Sequence, residues 1–473
     1  MSLRVYNTLS KQKETFTPLK EGNVGIYCCG PTTYNYIHLG NARPFVVFDT
    51  IRRYLRYLGY QVKFVQNFTD IDDKIIRRAA EEKLSPAQIG EKYIAAYFED
   101  AARLNILPAD IHPKVTEHIP EIIALVEGII TAGHAYEAEG DIYFDVNSFP
   151  KYGILSGRNL EEMQAGARVE PGELKRNPLD FALWKSAKPG EPAWNSPWGE
   201  GRPGWHIECS AMSCKYLGTD FDIHGGGVDL IFPHHENEIA QAVAGNGGGF
   251  ARYWLHNGFI TINQEKMSKS LGNFFLLRDI LERFPGDVVR FYLLSTHYRS
   301  PIDFADDKIA VAQKSLERIR TSYFLLTEAG KRAQAGGMDQ DFHRKIIRAR
   351  EAFQAAMNDD FNTALAIGGI FDFCHELNTW LQGQKQTPAL TLEEAGELFA
   401  EFDQVLGMIL PAAKVGEDND RKIEGLINLL MEVRRQAREK KDWATSDQIR
   451  DGLKELEIIL EDTREGMRWK RLL

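Results

Sequence analysis

The stretch VGIYCCGPTTYNYIHLGNARPFVVFDTIRRYL, residues 24–55, decides the fold class. It opens with a short apolar run, 24–29, which is typical of a buried parallel strand. The turn Gly30-Pro31-Thr32 comes next, and apolar residues at helical spacing follow over 45–58. A second apolar run, 62–68, predicts another strand. This strand–helix–strand order predicts the parallel sheet of an α/β domain.

The chain breaks this pattern after residue 115. A helix is predicted over 119–132, and a hairpin is predicted around Glu139-Gly140. From about 150 to 204 the chain is rich in Pro, Gly and Trp, a composition that predicts irregular loops. The α/β pattern returns near Trp205, so we interpret residues 116–200 as an insertion into the α/β domain.

The C-terminal part is predicted to be helical. Helical periodicity recurs from residue 306 onward, and a charged break at 414–420 separates these helices from a small final unit. A chain of 473 residues is also too long for one hydrophobic core. The two halves of the α/β domain are expected at 1–115 and 201–262, with the insertion at 116–200. A region with a lysine-containing loop is expected at 263–305, a helical bundle at 306–412 and a C-terminal unit at 421–473.

The composition indicates a folded intracellular protein. Hydrophobic residues make up 43% of the chain, and the net charge of −10 disfavours non-specific nucleic-acid binding by the whole surface. No apolar run is long enough to cross a bilayer, and the N-terminus lacks a secretory signal, so we expect a cytoplasmic protein without a membrane partner. The five cysteines, an odd and sparse set, favour metal binding or burial over disulfides.

A first motif, His38-Leu39-Gly40-Asn41, has the composition of a phosphate site. It precedes a predicted helix, whose N-terminus presents backbone N–H groups and a partial positive charge. Gly40 permits close approach of a ligand, and His38 and Asn41 share one face of the first turn. Taken alone, the motif also fits a capped helix with a surface histidine.

A second motif, Lys266-Met267-Ser268-Lys269-Ser270, lies on a predicted loop that ends near Gly272. Lys266 and Lys269 could neutralise the charge that builds up on a leaving pyrophosphate. A solvated basic turn is the alternative for a bare pair of lysines. The full string, together with the His-Leu-Gly motif upstream, favours the nucleotide site.

Four separated residues carry the donor atoms of a metal site. His234 and Glu238 are four residues apart and therefore face the same way on a helix. Cys29 and Cys209 could complete a set of two sulfurs, one nitrogen and one oxygen, which suits zinc. The alternative is that both cysteines are ordinary buried residues, because spacing cannot show which distant residues meet.

Two further segments carry weaker signals. The run Gly225–Gly227 allows a ligand to lie against the backbone, and Asp229 could accept a hydrogen bond from a ribose hydroxyl or an ammonium group. A flexible connection is the alternative there. The segment 432–443 mixes basic and acidic residues before Trp443. It could contact phosphates and stack on an unpaired base, or form a solvated helix face.

Together these strings resemble the class I aminoacyl-tRNA synthetases. His38–Asn41 resembles the His-Ile-Gly-His signature of that class, and Lys266–Ser270 matches its second signature in full. The resemblance to the cysteinyl-tRNA synthetase family is closer and extends from near residue 5 to residue 471. The strings that carry it lie at 29–32, 67–75, 202–212, 225–227, 233–238, 441–444 and 460–463.

The resemblance implies a Rossmann-like α/β fold with a connective insertion, a helical bundle and an anticodon-binding C-terminal domain. The implied activity is ATP-dependent activation of L-cysteine to cysteinyl-adenylate and transfer to the terminal ribose of tRNA(Cys), with Mg²⁺ accompanying ATP and AMP and diphosphate as products. The resemblance and the motif chemistry assign zinc to Cys29, Cys209, His234 and Glu238, and the substrate cysteine to Gly30, Thr69, Trp205 and His224. They assign ATP to His38, Gly40, Asn41, Asp229, Lys266 and Lys269, of which His38 and both lysines are catalytic. They assign tRNA to Arg438, Trp443, Asp447 and Asp462.

The implied metal would solve a selectivity problem. Serine differs from cysteine by one atom, and an apolar pocket separates such pairs only about 10- to 200-fold. Zinc prefers a thiolate and lowers the thiol pKa, so we expect the substrate sulfur to bind it directly. Catalytic zinc usually keeps three protein ligands. Four ligands leave two alternatives, namely expansion to five-coordination or a loosely held Glu238.

Asn41 departs from the class signature. Its amide can donate to a phosphate or ribose oxygen, but it cannot carry positive charge. This departure is the one feature that supports a non-catalytic, tRNA-binding or regulatory paralogue. A second rival is a related ligase that transfers cysteine to a sugar amine, and the segment 421–471 opposes it because such ligases lack an anticodon unit. We expect a monomer whose partners are tRNA(Cys), ATP and L-cysteine.

Overall fold

The computed structural model describes residues 2–158, 174–262, 265–266, 275–384, 386–410, 417–463 and 466–471. The chain divides into two compact units, Met1–Ile409 and Leu410–Leu473. Within the described ranges, no helix is both long enough and apolar enough to span a membrane.

Strands and helices alternate along the first unit. Its strands are β1 (Arg4–Asn7), β2 (Gln12–Thr15), β3 (Asn23–Cys28), β4 (Gln61–Gln66), β5 (Ala135–Ala138), β6 (Asp141–Phe144), β7 (Phe181–Ser186), β8 (Trp194–Ser196), β9 (Gly199–Pro203), β10 (Phe221–Gly227), β11 (Ala251–Asn257), β12 (Ile260–Ile262), β13 (Glu265–Lys266) and β14 (Ile302–Asp303). Its helices are α1 (Leu39–Tyr57), α2 (Asp73–Glu82), α3 (Pro86–Arg103), α4 (Ile119–Thr131), α5 (Ile207–Leu217), α6 (Glu236–Asn246), α7 (Leu277–Leu281), α8 (Gly286–Leu294), α9 (Asp306–Gly330), α10 (Gln340–Asn358), α11 (Thr363–Gly383) and α12 (Ala389–Leu406).

The core of the first unit is a parallel sheet in the order β11-β10-β3-β4, which confirms the predicted α/β class. The glycine run 225–227 lies inside β10 and is not a flexible connection. A Cβ atom at Gly225 would lie 2.1 Å from the ring of Phe48 on α1. This glycine therefore lets α1 pack directly on the sheet.

The segment after α4 contains a five-stranded antiparallel sheet in the order β5-β6-β7-β9-β8. The predicted hairpin around Glu139-Gly140 is the β5–β6 turn. The prediction of irregular loops was wrong for residues 181–186, 194–196 and 199–203, which form β7, β8 and β9. Trp184 is fully buried and its ring packs 6.0 Å from that of Trp198. Burial of aromatic side chains thus outweighs the local preference of a Pro- and Gly-rich segment for loops.

A buried charge network connects α1 to the helices that follow the sheet. The carboxylate of Asp49 accepts hydrogen bonds from Arg52 at 2.6 Å and from Arg53 and Arg290 at 2.7 Å. Burial alone would raise the pKa of Asp49, but the three guanidinium groups hold it below its usual value. Arg290, on α8, also donates to the carbonyl of Leu406 at the end of α12. The network therefore joins α1, α8 and the bundle.

The substitution Asp49→Asn is expected to destabilise the protein by about 3–5 kcal/mol, because it leaves buried guanidinium groups without their counter-charge. Urea unfolding at neutral pH measures the change in the free energy of unfolding. Asp341→Asn is the control, because Asp341 pairs with Arg344 on the exposed surface of α10 and should contribute about 1 kcal/mol or less. Equal effects of the two substitutions would contradict the prediction.

Helices α9 to α12 form the predicted helical bundle. The last of them ends at Leu406, within the predicted bundle range 306–412, because Gly407 adopts a left-handed conformation with a φ of 63°. The second unit contains α13 (Glu417–Glu439), α14 (Trp443–Glu455) and the antiparallel pair β15 (Ile458–Thr463) and β16 (Gly466–Arg471). Its small core includes Ile427, Leu453 and Ile458.

Candidate metal and nucleotide site

The carboxyl edge of the parallel sheet positions the first metal-donor candidate. β3 ends at Cys28, and the backbone N–H of Cys29 donates to the carbonyl of Gly225 on β10 at 3.2 Å. The N–H of Gly30 donates to the side chain of Asn67 at 2.9 Å. A Cβ atom at Gly30 would lie 1.6 Å from the carbonyl oxygen of Asn67, so only glycine fits. Gly30 therefore lets the chain after β3 pass close to Asn67 at this edge, where α/β sheets commonly bind ligands.

The structure brings the four predicted metal donors together. The ligand atoms of Cys29, Cys209, His234 and Glu238 all lie within 4.8 Å of one another, and all four residues are buried. The two Sγ atoms are 3.9 Å apart, and His234 Nε2 lies 3.7 Å from Cys209 Sγ and 2.9 Å from Glu238 Oε1. Cys209 comes from α5, whereas His234 and Glu238 come from a wider turn, Ile231–His235, and the start of α6.

A second donor set overlaps the first. Cys29 and Glu238 also group with His224 and His235 within the same 4.8 Å limit. His235 Nε2 lies 3.3 Å from Cys29 Sγ, and His224 Nε2 lies 2.7 Å from Glu238 Oε2. Sequence reasoning did not include His235. The adjacent pair His234-His235 was the available signal, but spacing alone cannot tell which of two neighbours points inward.

Two further histidines orient the rings of the cluster. His206 Nδ1 lies 2.8 Å from His234 Nδ1, and His256 Nε2 lies 2.8 Å from His235 Nδ1. Thr8 Oγ1 in turn lies 2.8 Å from the other ring nitrogen of His256. Hydrogen bonds of this kind fix the ring orientation of histidines that bind metals. His206 and His256 could not be predicted as members of the cluster, because both reach it through tertiary packing.

The charges in the cluster favour a cation. Burial raises the pKa of Glu238, but His224 and His234 lower it to about 2. Burial lowers the pKa of His234, but the Glu238 carboxylate and Cys209 raise it to about 10. The hydrogen bond with Cys29 lowers the pKa of Cys209 to about 6, whereas burial raises that of Cys29 well above its usual value. Metals bind carboxylates, thiolates and neutral imidazoles, so this donor set fits zinc, which would displace the remaining protons.

The four residues predicted to surround cysteine lie beside this cluster. Gly30 follows Cys29 in the chain, and the ring of Trp205, 42% exposed, lies 4.4 Å from the ring of His234. Thr69 is buried and donates from its hydroxyl to Glu208 at 2.7 Å. Glu208 was not singled out from the sequence. His224 is fully buried and bonded to Glu238, so it positions that carboxylate.

The first signature starts α1 through a reciprocal cap. His38 Nδ1 accepts from the backbone N–H of Asn41 at 3.1 Å, and the Asn41 side-chain oxygen accepts from the backbone N–H of His38 at 3.3 Å. The proton of the His38 ring is therefore on Nε2, which is a donor. Asn41 accepts a hydrogen bond here, and a positively charged side chain could not do so. The cap also explains why α1 begins at Leu39 and not at the predicted residue 45.

The chain on both sides of the second signature is fixed in place. β13 (Glu265–Lys266), which includes the first residue of the signature, pairs with β12. After the signature, Leu39 donates to the carbonyl of Phe275, and Leu277 donates to the carbonyl of Ile37. These bonds tie residues 275–277, which follow the signature, to the backbone on either side of His38. Lys269 and the side chain of Lys266 lie outside the described residues, and Asp229 is exposed in the turn Val228–Leu230.

The predicted tRNA residues lie in the second unit. Trp443 is 58% exposed at the start of α14, directly after the basic end of α13 that carries Arg438. Asp447 pairs with Arg450 at 2.9 Å on the surface of α14. Asp462 belongs to β15, and its side chain lies outside the described residues.

Comparison with known proteins identifies three consecutive regions. Residues 15–314 match the family model of the tRNA synthetases class I (C) catalytic domain. Residues 352–410 match the DALR domain, and residues 421–469 match the cysteinyl-tRNA ligase anticodon binding domain. The first match alone covers more than half of the chain.

Whole-chain relatives agree with the family models. A cysteine–tRNA ligase of Heliobacterium modesticaldum is 60% identical over 484 residues, covering 100% of both chains, and one of Thermococcus onnurineus is 50% identical at the same coverage. Among solved structures, Mycobacterium tuberculosis methionyl-tRNA synthetase in complex with methionyl-adenylate shares the fold, with a TM-score of 0.58 and 16% identity over 81% of this chain and 89% of that one. The chain belongs to the cysteine–tRNA ligase family of class I aminoacyl-tRNA synthetases.

Proposed function

We propose that this enzyme activates L-cysteine with ATP and transfers it to tRNA(Cys), with a zinc ion at the Cys29, Cys209, His234 and Glu238 cluster selecting the substrate. The observation that carries the proposal is the buried set of two sulfurs, one nitrogen and one oxygen at the carboxyl edge of the sheet. When bound there, zinc supplies a Lewis acid that accepts a thiolate far more readily than a hydroxyl group.

The side chains around the cluster would hold the rest of the amino acid. Trp205 is half-exposed beside His234 and provides an apolar wall for the substrate side chain. The Thr69 hydroxyl donates a hydrogen bond to Glu208, so its oxygen lone pairs would be available to accept from the substrate ammonium. His224 keeps the Glu238 carboxylate in place through their 2.7 Å hydrogen bond.

The activation step needs alignment and charge stabilisation more than proton transfer. The cysteine carboxylate is already ionised and attacks the α-phosphate of ATP, and pyrophosphate leaves. His38 Nε2–H would donate to phosphate oxygens, and the partial positive charge at the N-terminus of α1 would attract them, while Lys266 and Lys269 would neutralise the leaving group. In the second step the terminal ribose hydroxyl of tRNA attacks the carbonyl carbon of the adenylate, and AMP leaves. The class resemblance suggests the 2′-hydroxyl. Arg438, Trp443, Asp447 and Asp462 would contact the anticodon.

Exchange of labelled pyrophosphate into ATP, with and without cysteine, tests the activation step. Cysteine-dependent exchange followed by charging of tRNA(Cys) is the expected result. Exchange without charging, together with cysteine transfer to an amino sugar, would support the sugar-amine ligase instead. Absence of exchange in zinc-loaded protein would contradict the proposal.

Removal of zinc is expected to reduce the discrimination between cysteine and serine. With zinc, the ratio of kcat/KM values should exceed the range of about 10- to 200-fold that an apolar pocket provides, and after treatment with a chelator it should fall into that range. Exchange measured with both amino acids before and after chelation gives the ratio, and readdition of Zn²⁺ is the control. Unchanged discrimination in metal-free protein would refute selection by the metal.

A further inference from the structure

Arg43 lies near the start of α1, and its side chain is fully buried. Its guanidinium donates to backbone carbonyls: from Nη1 to Gly258 and Phe259, both at 2.8 Å, and from Nη2 to Ser300 at 2.5 Å and His297 at 3.4 Å. Burial lowers its pKa to about 10, so it stays charged at neutral pH. Burying a charge is costly unless it is well satisfied, which makes this arrangement informative.

The carbonyls that Arg43 binds belong to the two segments that enter one small sheet. Gly258 and Phe259 lead directly into β12, and Ser300 leads into β14. β12 pairs with β14 on one side and with β13 on the other, where Thr261 is opposite Lys266. Arg43 therefore binds the residues directly before β12, the strand that precedes the second signature in the chain.

The same segments are anchored from their other side. Asp360 is fully buried and accepts from Arg299 at 2.7 Å and from Tyr298 at 2.9 Å. The N–H of Gly258 donates to the carbonyl of Tyr298 at 2.8 Å, and a Cβ atom at Gly258 would lie 2.5 Å from the carbonyl oxygen of Ser300. The segment 297–300 thus forms a fixed base to which Arg43 attaches α1.

We propose that Arg43 is a positioning residue of the ATP site. It fixes the first turns of α1, with His38, against the β12–β13 ribbon that carries Lys266, and so sets the spacing between the two halves of the site. This inference rests on the proposed function. Arginine suits the task because its planar fork presents several donors in a fixed geometry, whereas lysine presents one compact ammonium group.

Arg43→Lys is expected to lower kcat of cysteine-dependent pyrophosphate exchange by about 100-fold, because a misplacement of about 1 Å costs this much. The KM for cysteine and the zinc content should not change, because Arg43 contacts neither. A role in stability alone would lower the amount of folded protein but would leave the kcat of the folded fraction unaltered.

Arg52→Lys is the matched control. Arg52 is equally buried on the same helix, but its guanidinium binds Asp49 and the carbonyls of Leu107 and Pro108. It should reduce thermal stability as much as Arg43→Lys and keep kcat within about threefold of the native value. Equal kcat values for the two variants would overturn the inference. Loss of cysteine-dependent exchange in the native protein would instead refute the proposed function.

Thr261→Val provides a second route if Arg43→Lys does not fold. The Thr261 hydroxyl donates to Asp303 at 2.9 Å and holds β12 against β14. Its loss should loosen the same ribbon and lower kcat by about tenfold, again without a change in the KM for cysteine. An unchanged kcat would show that the position of the ribbon does not limit the reaction, and would overturn the inference.

Discussion

Replacement of Cys209 by serine is expected to lower kcat/KM for cysteine activation by about 1,000-fold or more, the scale of losing a group that stabilises transition-state charge. Cys209 is the donor whose pKa falls to about 6, so it offers a thiolate at neutral pH. A serine hydroxyl is far less acidic and is a poor zinc ligand. His234→Ala should have the same effect, because it removes the nitrogen donor.

The measurement combines pyrophosphate exchange, elemental analysis for zinc and thermal unfolding. We expect Cys209→Ser to lose zinc and activity while the fold is largely retained. Cys214→Ser is the matched control, because Cys214 lies on the same helix, belongs to neither donor set and contacts Asn246. Normal zinc content and normal selectivity in Cys209→Ser would refute the assignment of the cluster.

Lys269→Ala is expected to slow adenylate formation by about 100- to 1,000-fold with little change in cysteine affinity. The reason is that the lysine would neutralise charge that develops only as pyrophosphate leaves, so its loss raises the barrier without weakening ground-state binding. Lys269 lies outside the described residues, and this expectation comes from the signature alone.

Single-turnover formation of adenylate and equilibrium binding of cysteine separate the two effects. Lys345→Ala serves as the control, because Lys345 pairs with Glu376 in the helical bundle and should not affect either quantity. A parallel loss of cysteine affinity in Lys269→Ala would count against a role confined to the leaving group.

Local patterns made much of the fold predictable. The apolar run 24–29, the helix 119–132 and the hairpin at Glu139-Gly140 each depend on neighbours in sequence, and the structure contains all three elements. Strands β7, β8 and β9 were not predicted, because burial of Trp184 is a tertiary effect that composition does not reveal. Periodicity describes which residues share a face, but not which faces meet.

The contacts of the candidate site were likewise only partly predictable from local sequence. The contact of His234 with Glu238 follows from their i, i+4 spacing, because both lie on one helical run. Their meeting with Cys29 and Cys209 could be expected only from the family resemblance, since no local rule pairs residues so far apart. His235 was not predicted from the sequence, because its contact with Cys29 depends on tertiary packing.

The donor atoms come from both halves of the α/β domain, on either side of the segment that holds the antiparallel sheet. During translation Cys29 emerges long before Glu238, so a nascent chain has no complete set until the second half has been made. Capture of the proposed zinc ion would therefore be a late maturation step, and it would favour only chains whose halves have already docked. The proposed ion would then contribute to maturation of the newly made enzyme as well as to selection of its substrate.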